Sequence, residues 1–176
     1  RMQDGALTMQ DTHDRIQWIG GIPSLVGAVG GVLSSVWSDR MVRRGSDSLA
    51  ARKRMMIATV VVAPLCMLVP YLNGWIADAQ MQVAVVVAIF SLIAVMCLSW
   101  LYTICVVIAE AFPVRNVASV VGITAGAGAV GGAVFNIFVG DMLASMGDVL
   151  FIIMGMLHIA AAVILWRMVR RETPLT

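Results

Sequence analysis

The sequence predicts an all-α integral membrane protein with five transmembrane helices. The composition is 60% hydrophobic and only 12% charged, with a mean hydropathy of +0.92, whereas a soluble domain carries roughly a quarter charged residues. The 12 Lys and Arg and the 10 Asp and Glu residues also lie in short segments between long apolar runs. A soluble core cannot absorb this excess of apolar residues, so the runs are predicted to contact lipid or each other.

Five apolar runs are long enough to cross a bilayer. A helix needs about 20 apolar residues to span the hydrocarbon, and only a helix or a closed barrel satisfies its backbone polar groups there. The predicted transmembrane helices are residues 16–37, 55–75, 83–109, 117–140 and 149–166. The flanking segments are a periplasmic loop over 1–15, a cytoplasmic loop over 38–54 and a cytoplasmic tail over 167–176.

The basic residues predict how the helices are oriented. Lys and Arg accumulate in short cytoplasmic loops, and segments 38–54, 110–116 and 167–176 together hold all of them except Arg1 and Arg15. The chain is therefore expected to be a multi-pass protein of the cell membrane, with its N-terminus outside and its C-terminus in the cytoplasm. Five spans that start outside also suggest a piece of a longer protein that has lost at least one span upstream.

Small residues mark the first and fourth runs as helices that pack closely. Both contain pairs with small-xxx-small spacing, which let helix backbones approach each other in lipid. The pairs are Gly27 and Gly31, Gly122 and Gly126, and Gly128 and Gly132. Both helices are expected to be interior, in static packing or in packing that also slides.

The sequence lacks the patterns that an enzyme, a metal site or a nucleic-acid site requires. It has no GxSxG, HExxH or paired carboxylates, and its three cysteines lie inside apolar runs without CxxC spacing. Its basic residues mark loops and form no single patch. We therefore expect no enzyme activity, cofactor, metal or nucleic-acid partner. His158, near the middle of the fifth run, is expected to bond between helices or, alternatively, to take part in proton coupling.

Polar residues on the third and fourth runs are candidates for ligand binding. At 100° per residue, five of them on the third run share an arc of about 120°, namely Ser91, Ser99, Tyr102, Thr103 and Glu110. With Trp100 at the edge, Ser99 and Thr103 could bind a polyhydroxylated ligand, or their hydroxyls could bond back to carbonyls and bend the helix. Asn136, the one amide deep in the fourth run, either bridges helices or meets the ligand.

The loop after the first run carries a recognisable motif. An acid at a helix end, a set of arginines and a glycine that permits a tight turn could latch neighbouring helices and release them, or could serve only as a basic anchor. The residues are Asp39, Arg40, Arg43, Arg44 and Gly45. They resemble the loop motif D-R-x-x-R-R-G, which recurs in each half of the twelve-helix transporters of the major facilitator superfamily.

A second motif narrows the resemblance. The third run ends in E-x-F-P-x-R, with Glu110, Pro113 and Arg115, and the A-G-A-x-G-G pattern follows over 127–132. Together they resemble the anion:cation symporter branch, especially hexuronate and sugar-acid transporters. The resemblance implies that these are the last five of twelve helices. It also implies that the first and fourth runs face the other half, which would explain their glycines.

The resemblance implies a function in transport. It predicts the C-terminal part of a proton-coupled symporter for a small organic anion such as a hexuronate, working with the lipid bilayer and a missing N-terminal half. The alternatives are an exporter of other small molecules and a non-transporting membrane scaffold subunit. Because no charged residue lies deep in the five runs, a carboxylate-binding cation and a proton-carrying carboxylate are expected from the missing half.

Overall fold

The computed structural model describes the backbone of residues 9–168 and the side chains of residues 18–167. This part of the chain contains helices and no strand. The helices are α1 (Met9–Arg43), α2 (Ser48–Val60), a 3₁₀ segment (Ala63–Tyr71), α3 (Leu72–Trp75), α4 (Ala79–Ala111), α5 (Val114–Met146) and α6 (Val149–Met168). Arg1, Arg170 and Arg171, which entered the orientation argument, lie outside the described residues, as does the side chain of Arg15.

Five helical stretches within the described residues are long and apolar enough to cross a membrane. They are α1, the stretch from α2 through α3, α4, α5 and α6. Each predicted run lies inside one of these stretches. The prediction of an all-α fold with five membrane-spanning helices is therefore confirmed.

The second span differs from the single α-helix expected over 55–75. Its α-helix ends at Val60, and a 3₁₀ segment of nine residues follows. Pro64 lies in the first turn of this segment and Pro70 near its end. A proline has no N–H to donate and clashes with the carbonyl four residues earlier, so two prolines six residues apart prevent a continuous α-helix.

Local chemistry fixes the helix ends on which the candidate site depends. After α1, Gly45 adopts φ 92°, a conformation that glycine tolerates best. Its N–H bonds to the Val42 carbonyl at 2.9 Å and that of Ser46 to the Met41 carbonyl at 3.1 Å, which is the Schellman arrangement. Asp47 then caps α2 by accepting from the N–H of Ala50 at 3.0 Å.

Helices α4 and α5 are joined at a proline. Phe112 is extended at φ −113° and ψ 148°, as expected for a residue that precedes proline. Pro113 occupies the N-cap of α5, where its missing N–H costs no helical hydrogen bond. The connection is so short that the last turn of α4, which contains Glu110, lies next to the first turn of α5.

Helix α1 packs on α4 through its glycines. A Cβ added at Gly27 would lie 2.8 Å from Ala94 Cβ and 3.0 Å from the Ala94 carbonyl carbon, and one at Gly31 would lie 2.8 Å from the ring of Tyr102. Gly27 and Gly31 therefore serve a contact within this chain. The opposite face of α1 stays exposed, with Trp18 82% and Leu25 72% accessible.

Among the described residues, several fully buried side chains lie where α2 and the 3₁₀ segment meet α4 and α6. Met55, Met56 and Met96 have almost no exposed surface. Gly155 of α6 lies against the 3₁₀ segment, since a Cβ there would lie 2.8 Å from Met67 Cε. Flexible methionine side chains fill the irregular space that an interrupted helix leaves.

Helix α5 differs from the others because no residue in it is buried. A Cβ added at Gly122, Gly126, Gly128 or Gly132 would meet no atom within 4 Å. The expectation that the fourth span is interior therefore has no support from contacts within the described residues. The faces of α5 are open for lipid or for another part of the protein.

Candidate functional site

A buried arginine joins three helix ends. Arg52 of α2 is 6% exposed, and its Nη1 donates to Asp39 Oδ1 at 2.6 Å and to Ser38 Oγ at 3.0 Å, both at the end of α1. Its Nη2 donates to Glu110 Oε1 at 3.3 Å, at the end of α4. We call Ser38, Asp39, Ser48, Arg52 and Glu110 the Arg52 cluster.

A second hydrogen bond ties the same helices together. Ser48 Oγ donates to Glu110 Oε2 at 2.5 Å, so both carboxylate oxygens of Glu110 accept from α2. Ser48 and Arg52 are four residues apart and therefore share one face of α2. The planar guanidinium can bond two carboxylates in different directions at once, which a lysine ammonium cannot reproduce in the same geometry.

In the Arg52 cluster the arginine is buried, whereas the two acids are partly exposed to solvent. The side chain of Arg52 is 8% exposed, whereas those of Asp39 and Glu110 are 50% and 39% exposed. Arg52 Nε is also buried and has no hydrogen-bond partner among the described residues. Separating the helix ends would let water solvate the acids but would leave the buried guanidinium without its partners. The cluster therefore holds the helix ends together through contacts whose acidic groups water already reaches.

The structure brings together only part of the predicted loop motifs. Asp39 and Glu110, from the two separate motifs, meet at Arg52. Gly45 and Pro113 shape the connecting backbone. The remaining predicted members are exposed, namely Arg40, Arg43, Arg44 and Arg115.

Sequence reasoning missed Arg52 as a site residue because it counted Arg52 with Lys53 and Arg54 as loop charges. A signal was present in its spacing. Arg52 precedes Met55 and Met56 by three and four residues, and both are fully buried. A cation on the apolar face of a helix needs a partner, and the loops on its side of the sequence offered three acids, Asp39, Asp47 and Glu110.

The predicted polar stripe on α4 lies mostly inside the helix packing. Ser99 is fully buried and donates to the Val95 carbonyl at 2.5 Å, and Thr103 is 2% exposed. The indole Nε1 of Trp100 donates to the Met56 carbonyl at 2.9 Å. The same carbonyl accepts from Thr59 Oγ1 at 2.9 Å, and this hydroxyl also lies 3.2 Å from the indole nitrogen. Ser99 thus shows the back-bonded arrangement, and Trp100 joins α4 to α2.

Asn136 lies on a different helix. It is exposed on α5, in which no residue is buried. The cavity between α4 and α5 has a volume of about 450 Å³ and is lined by residues such as Ile104, Cys105, Thr124 and Gly128. Of the four residues predicted to bind substrate, Ser99 and Thr103 are thus buried on α4, Trp100 bonds to α2 and Asn136 is exposed on α5.

His158 joins α6 to α4. Its Nδ1 lies 3.0 Å from the Met154 carbonyl, and its Nε2 lies 3.5 Å from Cys97 Sγ. Because a carbonyl can only accept, Nδ1 donates in the first contact, and the second contact joins α6 to the thiol on α4. This is the helix–helix bond that the sequence reading gave as the first of its two alternatives.

Comparison with known proteins gives a family. The family model described as Major Facilitator Superfamily matches residues 5–176. No match was found among curated proteins or among solved structures.

Proposed function

The chain belongs to the major facilitator superfamily, and from that premise we propose that it is the C-terminal part of a proton-coupled symporter for a small organic anion such as a hexuronate. Members of this superfamily are membrane transporters, not enzymes. The five membrane-spanning helices agree with a multi-pass membrane protein. Substrate class, proton coupling and position in the parent protein are the proposed parts.

The Arg52 cluster is the observation that best supports a transport role. It joins the ends of α1, α2 and α4 through charged groups, and two of these groups, Asp39 and Glu110, are partly exposed to solvent. Alternating access needs helix bundles that move while the membrane-embedded parts stay packed. We propose that the cluster closes in one access state and opens in the other. A scaffold would not need a releasable contact at this position.

The proposed substrate contacts come from α5 more than from α4. The E-x-F-P-x-R and A-G-A-x-G-G motifs support a sugar acid as substrate through their resemblance to hexuronate transporters. Asn136 is exposed on a helix that has no buried residue, so its amide is available to substrate hydroxyls. Ser99 and Thr103 are buried in packing, which favours their structural role over direct contact.

The proposed coupling relies on groups outside the described helices. Every described Lys, Arg, Asp and Glu lies in a connection or within two turns of a helix end. The proton-carrying carboxylate and the cation for the substrate carboxylate therefore belong, in this proposal, to another part of the transporter.

The test is uptake into proteoliposomes that contain the intact transporter. Labelled glucuronate should enter saturably, faster with an acidic exterior, and a protonophore should abolish the acceleration. A labelled neutral hexose serves as the control and should not enter. Uptake that ignores the pH gradient would exclude proton coupling, and uptake of the hexose alone would exclude an acid substrate. Transport only outward would indicate an exporter, and no saturable transport would indicate a scaffold.

Two variants test the binding residues in the same assay. Asn136→Ala should raise KM several-fold because the substrate loses an amide partner. Ser99→Ala should change KM little, since its hydroxyl already bonds to the Val95 carbonyl. An unchanged KM for Asn136→Ala at normal expression would show that Asn136 has a structural role. A raised KM for Ser99→Ala would show that Ser99 contacts the substrate.

A further inference from the structure

A groove between α2 and α6 opens at the membrane end that carries the basic residues. It has a volume of about 500 Å³, and its walls include Ile57 and Val60 of α2 and Ile159 and Val163 of α6. Val163 is 45% exposed, so the groove is open along its length. Its lining is apolar except at one end, where Trp166 and Arg167 lie.

Both walls of the groove end in basic residues. Lys53 and Arg54 precede Ile57 by four and three residues, which places them one turn beyond the α2 wall. Arg167 follows Val163 by four residues and extends the α6 wall in the same direction. Lys53 also fixes the two walls together, since its Nζ donates to the Trp166 carbonyl at 3.3 Å and lies 4.8 Å from the centre of the Trp166 ring.

The described acids near this end are engaged elsewhere. Asp39 and Glu110 pair with Arg52, and Asp47 caps the start of α2. None of them lines the groove. The end of the groove therefore combines a positive rim, an indole, which is a side chain that favours the membrane–water interface, and an apolar channel between two membrane-spanning stretches.

We propose that this groove binds an anionic phospholipid. An acyl chain lies along the apolar walls, and the phosphate headgroup pairs with Arg54 and Arg167 beside Trp166. Basic pockets between transmembrane helices bind such headgroups because the charges attract and the acyl chain gains apolar contact. A soluble anion would use the rim but not the groove, and a zwitterionic lipid would use the groove but gain less from the rim.

Native mass spectrometry of the purified intact transporter tests this proposal. With phosphatidylglycerol added, wild type should retain the lipid about tenfold better than phosphatidylcholine. Arg54→Gln/Arg167→Gln should remove that preference. Arg43→Gln/Arg44→Gln removes the same amount of charge from exposed positions at the end of α1. This control variant should keep the preference for phosphatidylglycerol. Equal losses in both double variants would mean diffuse attraction to the basic end and would overturn a site at the groove.

A third variant fills the groove and leaves every charge in place. Val163→Trp should lower phosphatidylglycerol retention and should reduce the rise in thermal unfolding midpoint that this lipid gives to wild type. This variant still tests lipid binding at the groove if Arg54→Gln/Arg167→Gln does not fold. Unchanged retention in Val163→Trp, equal binding of glycerol phosphate without acyl chains, or a bound second copy of the protein in place of lipid would each overturn the proposal.

Discussion

At the scale of single residues, Arg52 has the strongest physical constraints. A buried guanidinium is tolerable only when it is paired, and breaking a buried ion pair costs about 3–5 kcal/mol. The cost should be smaller here, because Asp39 and Glu110 are 50% and 39% exposed and water can solvate them. Removing Asp39 or Glu110 should destabilise the fold more than removing Arg52 does, since the buried guanidinium then stays charged and loses a partner.

A double-mutant cycle at Arg52 and Asp39 tests this assignment. Asp39→Asn and Arg52→Gln should each lower the uptake rate, and the double variant should lose less than the sum of the two free-energy effects because the two residues act through one contact. Asp78→Asn is the matched control, since Asp78 is an exposed acid that caps α4 and asparagine also caps helices. Strictly additive losses, or normal uptake for Asp39→Asn at normal surface expression, would contradict the latch.

Two residues of the Arg52 cluster stand in motifs that the sequence displays. Asp39 and Glu110 belong to distinctive patterns, and their positions after the first and third apolar runs predict that both lie at helix ends on one side of the membrane. Arg52 has basic neighbours on its C-terminal side, and only its contact with two distant acids separates it from them. The roles of Ser99 and Trp100 were also not predictable from the sequence, because their hydrogen-bond partners lie on a neighbouring turn or on another helix.

At the scale of elements, identical glycine spacings have different surroundings. Gly27 and Gly31 lie against α4, whereas the pairs in α5 have no neighbour within 4 Å among the described residues. Close approach of two helices in lipid depends on small residues on both surfaces. Helix α4 offers Ala94 opposite Gly27, which permits the contact. The spacing in α5 indicates that a close contact is possible, and its partner is proposed to lie in another part of the transporter.

The α1–α4 contact predicts different outcomes for two glycines of one helix. Gly27→Ala would place its Cβ 2.8 Å from Ala94 Cβ, so the helices must separate at a cost of about 1–3 kcal/mol. Gly21→Ala meets nothing within 4 Å and should be neutral or stabilising by up to about 1 kcal/mol through helix propensity. Thermal unfolding in detergent measures both. Equal midpoints for the two variants would show that α1 and α4 do not pack as closely as described.

At the scale of the whole molecule, charge separates the two ends of the helices. All Lys and Arg side chains among residues 18–167 lie at the end formed by the α1–α2 connection, the α4–α5 connection and the end of α6. The other end carries acids such as Asp78 and Asp148 in its connections. Because Lys and Arg are retained on the cytoplasmic side, we propose that the basic end faces the cytoplasm, as the sequence predicts.

Cysteine labelling in intact cells tests the proposed orientation. In a variant of the intact transporter without Cys66, Cys97 and Cys105, a membrane-impermeant maleimide should label Ala77→Cys directly. Ser46→Cys should react only after the membrane is permeabilised. Both positions lie in connections, so the two variants differ chiefly in the side they report. The reverse pattern would place the basic end outside.

The sequence by itself determined the number of spans, their approximate ends and the charge difference between the two sides. Each of these follows from local properties, namely the apolar length needed to cross a bilayer and the charge of each connection. The tertiary structure alone decided which glycines pack, that Arg52 is the buried cation and that Ser99 lies in packing. These depend on how each helix is rotated toward its neighbours. A membrane helix that is apolar on every face carries little periodic signal to specify that rotation.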